Sequence, residues 1–534
     1  MQERFDHIIV GGGTAGCVLA DRLSAAGRSV LLLEAGPRRE SPWVRIPAGF
    51  SKLMTNPRHN WRFHTEPEPG TGNRTIAVPR GKGLGGSTLI NGMIYVRGQP
   101  QDYDRWAQLG CTGWGFADVA PLFHRLEAYT GADPDGLRGR EGPLTISEVR
   151  ERPAIAEAFI AAGEAAGYPR NPDYNGASQD GFGVYQVNQK DGRRVSAADA
   201  WLRPAMRRPN LAVFTHATAR RIVLADGRAQ AVQLRRGGQE LRIAARREIL
   251  LAAGAIKTPQ LLELSGIGRP EVLADAGVEV VHPHPRVGEN YLDHFCTRMN
   301  WRVRIPGTLN EETRGWRLAR AVAQYALSRR GVLTFGTGLA YGFVRTREGL
   351  AGPDVQYFFM HASYANAAER KLHPFPGMTL GVTQLRPESR GTIHIVAPDA
   401  DRQPAIRPNF LATAEDRRVM VEGMKIGRRV IEQAPMDAFR EAEMSPGPDC
   451  RSDDDWLEFA RNNGQTIYHA VGTCAMGGHP DSVLDPSLCV RGVAGLRVVD
   501  ASAIPEMVSG NTQAAVMMLA DRAADLVLQD ARGG

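Results

Sequence analysis

The sequence predicts an α/β fold with a dinucleotide-binding Rossmann-like domain and a second domain that holds an antiparallel sheet flanked by helices. The first domain is indicated by a strand, a glycine-rich turn, a helix and a second strand at residues 7–34. Short β-rich runs with turn signals at 210–251 predict a hairpin or a meander whose last strand leads back to this domain. Strand-like runs at 355–359 and 392–396, followed by a helical pattern at 419–431, predict the second domain.

The opening segment carries the strongest single signal. Residues 7–10 are apolar, rich in β-branched side chains and too few for a helix, so they predict a buried strand. Residues 11–16 fit the pattern G-x-G-x-x-G, and apolar residues then recur at helical spacing as far as Gly27. A second predicted strand, 30–33, ends on Glu34.

Each part of this segment suits the binding of a dinucleotide. Gly11 permits the tight turn, Gly13 lets the backbone approach a pyrophosphate, and Gly16 lets the helix pack closely on the strand. The free N–H groups at the start of the helix attract phosphates. Glu34, 18 residues beyond Gly16, can accept hydrogen bonds from a ribose. The glycine pattern alone would also fit a glycine-rich turn, whereas the ordered combination predicts dinucleotide binding without separating NAD from FAD.

Composition narrows the class of protein. The chain has 534 residues, more than one ordinary domain, and is 43% hydrophobic and 23% charged, as in a soluble globular protein. Its net charge is +7, but it has neither a lysine-rich tail nor a platform of interleaved aromatic residues. A nucleic acid is therefore not an expected partner, while an anionic substrate, an anionic acceptor or a membrane surface stays open.

The cysteines and the apolar runs predict a cytoplasmic protein. Six cysteines form no C-x-x-C pair and no metal-ligand spacing, which suits a reducing compartment. The first strand leaves no room for a signal peptide, and no run of about 20 apolar residues predicts a membrane span. Peripheral contact with the inner membrane stays open. The histidines of 282–284 could be a metal pair, but the surrounding prolines favour a loop and no metal is expected.

A second glycine-rich segment, RGKGLGGSTLINGMIYVRG, spans residues 80–98. Glycines at this density let the backbone approach a large flat ligand, and exposed N–H groups can bind its polar edge. A surface loop is the alternative, but the apolar run that follows the glycines argues against it.

This segment resembles the first signature of the glucose–methanol–choline (GMC) flavoprotein oxidoreductases, and residues 254–268 resemble the second. Further segments resemble family segments in family order: HIIVGGGTAG, LLLEAG, HNWRFHTEPEP, VGENYLDH, YHAVGTCAMG, GLRVVDASAIP and GNTQAAVMMLADRAADLV. The chain is therefore identified as a member of this family, most similar in character to the bacterial choline-dehydrogenase-like alcohol dehydrogenases.

The resemblance implies FAD rather than NAD, and two domains. The FAD-binding domain would comprise residues 1–155, 210–295 and 465–534, and the substrate-binding domain residues 156–209 and 296–464. Some family members attach FAD covalently through a histidine near position 91. Because Asn91 stands here, we expect non-covalent FAD.

Two residues are expected to be catalytic. His469 lies among small and apolar residues, where a histidine is most often a satisfied core residue, but its match to the family segment YH-x-x-G-T implies a catalytic base. Asn511 precedes a predicted helix at 514–528 and could be its N-cap. The family places histidine or asparagine at this point, which implies a catalytic role.

The motifs and the resemblance together also predict the cofactor contacts: Gly11, Gly13, Thr14, Ala15, Gly16, Glu34, Ala35, Trp61, Arg80, Gly81, Gly85, Gly86, Ser87, Asn91, Gly92, Met93, Ala217, Ala253, Gly254, Tyr468, Asp500, Ala501, Asn511 and Thr512.

The expected reaction is the oxidation of a primary alcohol to the aldehyde. A neutral imidazole of His469 would take the hydroxyl proton as a hydride passes to flavin N5, and Asn511 would hold the alcohol oxygen. A quinone, an electron-transfer protein or oxygen could reoxidise the flavin, and the resemblance favours an acceptor other than oxygen. An alcohol oxidase that produces hydrogen peroxide and a choline dehydrogenase are the alternatives. A flavin-containing hydroxynitrile lyase and an NAD enzyme are more remote ones.

The substrate is predicted from one position. In the choline-using branch an acid lies near the segment that matches 338–346, where this chain has Leu339 and Ala340. A cation would then lack its counter-charge, so a neutral aromatic or aliphatic alcohol is favoured. Six residues could line its pocket or could equally belong to the core: Tyr341, Phe343, Phe358, Met360, His361 and Tyr364. The Arg-rich helical segment 314–330 is interpreted as a surface helix, a lid or a membrane contact.

Overall fold

The computed structural model describes residues 4–366 and 371–533, which form two large sheets with helices packed around them. The first sheet has seven strands: in spatial order Leu211–Phe214, Val30–Leu33, Arg4–Val10, Gln239–Leu251, Arg228–Arg236 and Ala217–Ala225, with Leu496–Val498 also paired to Gln239–Leu251.

The first sheet confirms the predicted α/β unit. The strand Arg4–Val10 runs parallel to both Val30–Leu33 and Gln239–Leu251, and the helix Thr14–Ala25 joins the first two. Ile8, Ile9 and the whole of Val30–Leu33 are buried, as continuous apolar runs in a parallel sheet should be. The predicted antiparallel pairing is confirmed for the strands from 217 to 251. The first predicted run differs, because Leu211–Phe214 pairs in parallel with Val30–Leu33 at the edge of the sheet.

The second sheet also has seven strands, and all of them pair as antiparallel neighbours. In spatial order they are Arg440–Ser445, Phe295–Val303, Gly377–Gln384, Val355–Met360, Ala340–Val344 and Gly181–Val184, with Gln465–Thr466 also paired to Phe295–Val303.

Helices cover one face of the second sheet, as predicted. Phe159 of the helix Ala154–Ala165 stacks on Phe359 of the sheet, with ring centroids 4.4 Å apart. The helix Ala414–Ile431 approaches closely at Gly427, where a Cβ atom would lie 2.8 Å from Leu380. Because side chains alternate along a strand, the neighbours of these core residues point to the opposite face, where the cavity described below lies.

The remaining elements connect and cover the two sheets. The other helices are Phe50–Leu53, Pro100–Gln108, Phe116–Leu126, Arg203–Ala205, Gly254–Leu264, Pro270–Asp275, Leu309–Glu312, Gly315–Ser328, Asp453–Asn463 and Gln513–Gly533. Small sheets pair Phe63–His64 with Ala77–Val78, Gln189–Lys190 with Arg193–Arg194, Ile267–Gly268 with His282–Pro283, Tyr364–Asn366 with Lys371–Leu372, and Thr392–His394 with Ala405–Arg407; a three-stranded sheet joins Glu127–Tyr129, Leu144–Glu148 and Gln186–Val187.

One strand lies elsewhere than predicted. The run at 392–396 forms the short strand Thr392–His394, which pairs with Ala405–Arg407 rather than joining the second sheet. Its side chains pack on the helix Gly254–Leu264, where Ile393 joins a cluster with Ala255 and Ile256 and His394 contacts Glu263. The division of the chain into an FAD-binding and a substrate-binding domain at the residues given above stays a proposal.

His394 ties this hairpin to the helix Gly254–Leu264. Its Nδ1 lies 2.7 Å from Oε1 of Glu263, and its Nε2 lies 3.2 Å from Oε1 of Glu289. Burial opposes a charge on the ring, but the two carboxylates outweigh it and raise the pKa of His394 to about 9. The imidazolium is therefore the form that holds the hairpin in place at neutral pH.

We expect the thermal stability of the protein to decline between pH 6.5 and pH 9 because of this group. A pKa that is raised on folding contributes stability that is complete below pH 6.5 and is lost as the pH rises through the folded value, here up to about 3 kcal/mol. His394→Gln should flatten this part of the profile of unfolding midpoints, measured by circular dichroism. His479→Gln, at a side chain that is 68% exposed, is the control and should leave the slope unchanged. An equal slope in His394→Gln would contradict the assignment.

Candidate active site

A single cavity between the two sheets collects most of the predicted site. It is lined by His469 and by every predicted cofactor contact except Gly16 and Gly85. Those two glycines lie just behind the wall. A Cβ atom on Gly16 would lie 1.9 Å from the carbonyl oxygen of Gly11, so Gly16 has the predicted role in close packing. The N–H of Gly85 donates to the carbonyl of Gly12 at 2.7 Å.

Glu34 holds the two glycine-rich segments together. Its Oε2 accepts a hydrogen bond from the N–H of Gly12 at 2.9 Å. Its Oε1 accepts from Gly36 at 2.7 Å and from Gly83 at 2.9 Å. Burial raises the pKa of this carboxyl, and the three N–H donors oppose that shift. Glu34 thus has a structural role that the sequence did not reveal, and its contact with a ribose stays a prediction.

The start of the helix Thr14–Ala25 suits a pyrophosphate. Gly13 is its N-cap, and among the described residues no side chain caps it, so backbone N–H groups face the cavity. A Cβ atom on Gly86 would lie 2.6 Å from Cα of Gly13, so the second glycine segment can pack here only without a side chain. The residues present therefore fit a dinucleotide such as FAD.

Asn91 is already engaged within the protein. Its Nδ2 donates to Oε1 of Gln513 at 2.5 Å, and its Oδ1 accepts from the guanidinium of Arg194 at 2.6 Å. Arg194 is buried, and burial lowers its pKa to about 9. Neither Gln513 nor Arg194 was predicted to belong to the site, because their spacing along the chain gives no sign of this contact.

The two predicted catalytic residues meet in this cavity. Nε2 of His469 lies 3.1 Å from Nδ2 of Asn511. The last helix begins at Gln513, two residues after Asn511, so Asn511 is not at the N-cap position that was the alternative. Its side chain contacts His469 instead. Oδ1 of Asn511 accepts a hydrogen bond from Gln356 at 3.4 Å. The other ring nitrogen of His469, Nδ1, lies 2.9 Å from Nδ1 of His294.

The hydrogen-bond pattern fixes the tautomers of both histidines. Nε2 of His294 lies 3.0 Å from the carbonyl of Leu385, which can only accept, so Nε2 carries the proton. Burial lowers the pKa of His294 to about 4, so its ring is neutral at pH 7 and its Nδ1 accepts. His469 must then donate from Nδ1. Burial, with His294 and Arg80, also lowers the pKa of His469 well below its usual value, so its Nε2 holds a lone pair.

A buried carboxylate holds the backbone that carries His469. Oδ1 of Asp293 accepts from the N–H of His469 at 2.8 Å, and Oδ2 accepts from Thr466 at 2.5 Å and from Tyr291 at 2.7 Å. Tyr468, which lies between Thr466 and His469 in the chain, has a φ of 73°, in the left-handed region, and Arg80 donates to its carbonyl. Such strained backbone persists only where its surroundings determine it, and it is frequent at functional sites.

Asp293 and His294 are the residues in contact with His469 to which the sequence assigned no role. His294 lies in the segment ENYLDH, whose match to the family pattern was visible. Its contact with His469 joins positions 175 residues apart and needs the folded chain to be seen.

The open face of the second sheet forms the opposite wall of the cavity. Alternating residues of three neighbouring strands line it: Cys296 and Arg298, Phe358 and Met360, and Thr379 and Gly381, joined by Tyr364 and Thr337. Of the six residues proposed for the pocket, Phe358, Met360 and Tyr364 are on this wall.

The other three residues proposed for the pocket belong to the core. Tyr341 packs edge to face on Tyr174 with centroids 4.5 Å apart, and it contacts Phe343. His361 is buried against Phe335. Tyr341 and Phe343 point to the same face of the sheet as Phe358, with which Tyr341 pairs, but Tyr174 and Tyr185 pack on them there. His361 follows the end of the strand Val355–Met360.

Comparisons with known proteins agree with this arrangement. The GMC oxidoreductase family model matches residues 5–296 with its N-terminal part and residues 387–520 with its C-terminal part. This chain belongs to the GMC oxidoreductase family. It is an FAD-dependent enzyme that acts on CH–OH groups of donors.

Relatives of this GMC oxidoreductase match over nearly their whole length. An "Alcohol dehydrogenase [acceptor]" of Pseudomonas putida is 39% identical, with 98% of this chain and 96% of the relative covered. An "Oxygen-dependent choline dehydrogenase" of Photobacterium profundum is 38% identical over 99% and 94%. Among solved structures, pyridoxine 4-oxidase from Mesorbium loti has a TM-score of 0.89 and 30% identity, over 98% and 99%. Formate oxidase of Aspergillus oryzae has a TM-score of 0.93 and 25% identity, over the whole of both chains.

The described residues were also compared with the requirements of a metal site and of a membrane-spanning helix. Within residues 4–366 and 371–533, no group of three or more His, Cys, Asp or Glu side chains is arranged to hold a metal ion. None of the helices in those two ranges is both long and apolar enough to cross a membrane.

We expect His294 to position His469 for proton uptake. His294→Ala removes the acceptor for Nδ1–H of His469, so the anaerobic rate of flavin reduction by alcohol should fall at least about tenfold while FAD content stays normal. His294→Asn is the matched control, because Oδ1 of asparagine takes nearly the place of Nδ1, and it should retain more of the rate. Equal losses in both variants would show that the acceptor at this position is not what matters.

Proposed function

We propose that this enzyme oxidises a primary alcohol to the aldehyde with non-covalently bound FAD. The observation that carries the proposal is the lone pair on Nε2 of His469, held by His294 on one side and directed to Asn511 on the other. An alcohol oxygen that replaces or joins Asn511 at this nitrogen would have a base within hydrogen-bond reach.

The side chains of the site account for the movement of the proton. The hydroxyl proton passes to Nε2 of His469, which is neutral at pH 7 and therefore able to accept it. The Nδ2 group of Asn511 can then donate to the alcohol oxygen and orient its carbon. FAD, when bound, supplies the hydride acceptor at N5. Loss of the proton and of the hydride leaves the carbonyl of the aldehyde.

The electrostatics of the chain favour negative charge at this end of the cavity. The last helix, Gln513–Gly533, begins directly after Asn511 and Thr512, and its N-terminus carries a partial positive charge. Arg80 lines the same region. These groups are fixed before the reaction starts, so they can stabilise charge that develops in it without reorganisation.

The cavity wall supports an uncharged aromatic or aliphatic alcohol rather than choline. Its acids among the described lining residues are Glu34 and Asp500, and both already accept backbone N–H bonds. The wall formed by the second sheet carries a cation, Arg298, beside Phe358 and Met360. A quaternary ammonium would therefore meet repulsion instead of a counter-charge.

The side chains of Asn91 and of the cysteines support a proposal for the mode of FAD attachment and for the compartment. Asn91 cannot form the covalent link that a histidine forms in some relatives, and its hydrogen bonds to Gln513 and Arg194 hold it as a neutral contact. All six cysteines are free thiols, which suits the cytoplasm. We therefore propose a cytoplasmic enzyme with non-covalent FAD.

The acceptor is proposed to be a quinone or an electron-transfer protein. The Pseudomonas putida relative, an alcohol dehydrogenase that uses an unspecified acceptor, supports an acceptor other than oxygen. The name of the Photobacterium profundum relative favours oxygen as a second candidate. Reoxidation of the alcohol-reduced protein by a quinone analogue and by oxygen, compared in one stopped-flow series, distinguishes the two.

His469→Ala is expected to lower the rate of flavin reduction by alcohol at least about 10²-fold, the usual scale of general-base help. The measurement is anaerobic bleaching of the visible flavin band in a stopped-flow instrument. The protein should stay yellow as purified. His64→Ala, at an exposed histidine, is the control and should bleach normally. A near-normal rate in His469→Ala would refute the role of this base.

Arg298→Glu is expected to shift the preference toward choline. Reversing the charge removes repulsion and adds attraction, so kcat/KM for choline relative to benzyl alcohol should rise at least about tenfold, or about 1.4 kcal/mol. Arg302→Glu on the same strand, a side chain that is 50% exposed, is the control and should leave the ratio unchanged. If Arg298→Glu leaves the ratio unchanged too, Arg298 does not select the substrate.

A further inference from the structure

The helix Gly315–Ser328 presents apolar side chains to solvent. Trp316 is 68% exposed, Val322 50% and Leu327 89%, and Leu318 is 38% exposed. A surface helix normally turns such residues inward and its polar residues outward. Here the residues that face the protein are Ala321 and Tyr325.

The exposed apolar side chains share one continuous face. With about 100° of rotation per residue, seven of them fall within roughly half of the helix circumference. In order around the helix they are Leu318, Val322, Ala326, Ala319, Ala323, Trp316 and Leu327, and all seven are exposed. We call this set the apolar helix face. Arg320, Gln324 and Arg317 follow at its edge.

Basic residues surround this face. Arg317 and Arg320 pair with Glu311 and Glu312. Three more arginines flank the helix, Arg314 before it and Arg329 and Arg330 after it. Arg314 donates to the carbonyl of Leu372 and the Arg329 guanidinium lies over the Tyr325 ring, so both keep their positive charge without a carboxylate partner among the described residues. The segment therefore combines an apolar face with a net positive charge at both ends.

We infer that the apolar helix face lies in the interfacial region of an anionic lipid bilayer. Interfacial helices combine an apolar face containing Trp and Leu with arginines that reach anionic headgroups. Tryptophan favours the boundary between headgroups and acyl chains. The helix lies on the surface of the bilayer, in keeping with its length of 14 residues.

Charge argues against a second copy of the chain as the occupant. If two copies packed antiparallel through this face, Arg314 of one would approach Arg329 and Arg330 of the other. If they packed in parallel, identical arginines would meet. Like charges in such contacts oppose association, whereas anionic headgroups neutralise them.

The helix is anchored to segments that line the cavity. Asn310, just before it, donates to the carbonyls of Ser363 and His373, which flank the hairpin containing the lining residue Tyr364. Tyr325 donates to the carbonyl of Gly192 at 3.0 Å. A bilayer at the apolar helix face would thus lie near the hairpin that contributes Tyr364 to the cavity wall. This inference does not depend on the identity of the alcohol.

The test is co-sedimentation of the FAD-loaded protein with vesicles of phosphatidylcholine, alone or mixed with phosphatidylglycerol. The protein should bind the mixed vesicles and bind the neutral ones more weakly. Trp316→Ser/Val322→Ser/Leu327→Ser should lower the partition coefficient at least about tenfold, because each side chain contributes transfer free energy. Trp43→Ser/Val281→Ser/Val396→Ser removes apolar side chains of 44–49% exposure elsewhere and should bind normally.

A second set of variants tests the charge. Arg314→Gln/Arg329→Gln/Arg330→Gln should reduce binding to mixed vesicles by up to about fivefold per charge and leave binding to neutral vesicles unchanged. The flavin spectrum and turnover with a water-soluble dye should match the unsubstituted protein in every variant, which shows that each one is folded. Absence of vesicle binding, or equal binding by the two apolar triple variants, would overturn the inference. A dimer that only the helix variant dissociates would assign the face to a second copy and overturn it as well.

Discussion

The carboxylate of Glu34 is the contact on which the cofactor half of this structure depends. It accepts N–H groups from the first glycine turn, from the residue just beyond its own strand and from the second glycine segment. Gly12 and Gly83 lie 22 and 49 residues from Glu34 in the sequence, and each of the three N–H groups would otherwise be an unpaired donor in a buried place. A buried carboxylate is costly unless its oxygens are satisfied, so this one both requires and enforces the meeting of the two segments.

The same logic governs the catalytic end. Asp293 binds the backbone N–H of His469 and the hydroxyls of Thr466 and Tyr291, while His294 binds the imidazole itself. One carboxylate thus fixes where the residue lies, and the neighbouring histidine fixes which ring nitrogen carries its proton. The chain of hydrogen bonds begins at the carbonyl of Leu385, which can only accept. His294 therefore donates to Leu385, His469 donates to His294, and Asn511 donates to His469.

Arginine side chains lie both in the lining of the cavity and on the outer surface of the protein. The acids among its described lining residues accept backbone hydrogen bonds, whereas Arg80 and Arg298 line the cavity as cations. Outside, the helix Gly315–Ser328 has arginines at both ends and apolar residues between them. Under the two proposals made above, positive charge would serve two purposes: inside the cavity it would disfavour cationic substrates, and outside it would favour an anionic surface.

Periodicity and local motifs determined a large part of this protein from the sequence alone. The first strand, helix and second strand, the meander and the two glycine segments were predictable because strand and helix periods and glycine requirements are properties of neighbouring residues. His469 and Asn511 could be selected by their motifs. The tertiary structure decided that Phe358 and Met360 line the cavity while Tyr341 and Phe343, on the same face of the sheet, join the core, because Tyr174 and Tyr185 pack on the latter two. It alone brought His294 to His469, Arg194 to Asn91 and Arg298 to the cavity wall. Contacts between residues so distant in the chain leave no local pattern, since they follow from how whole sheets and helices pack.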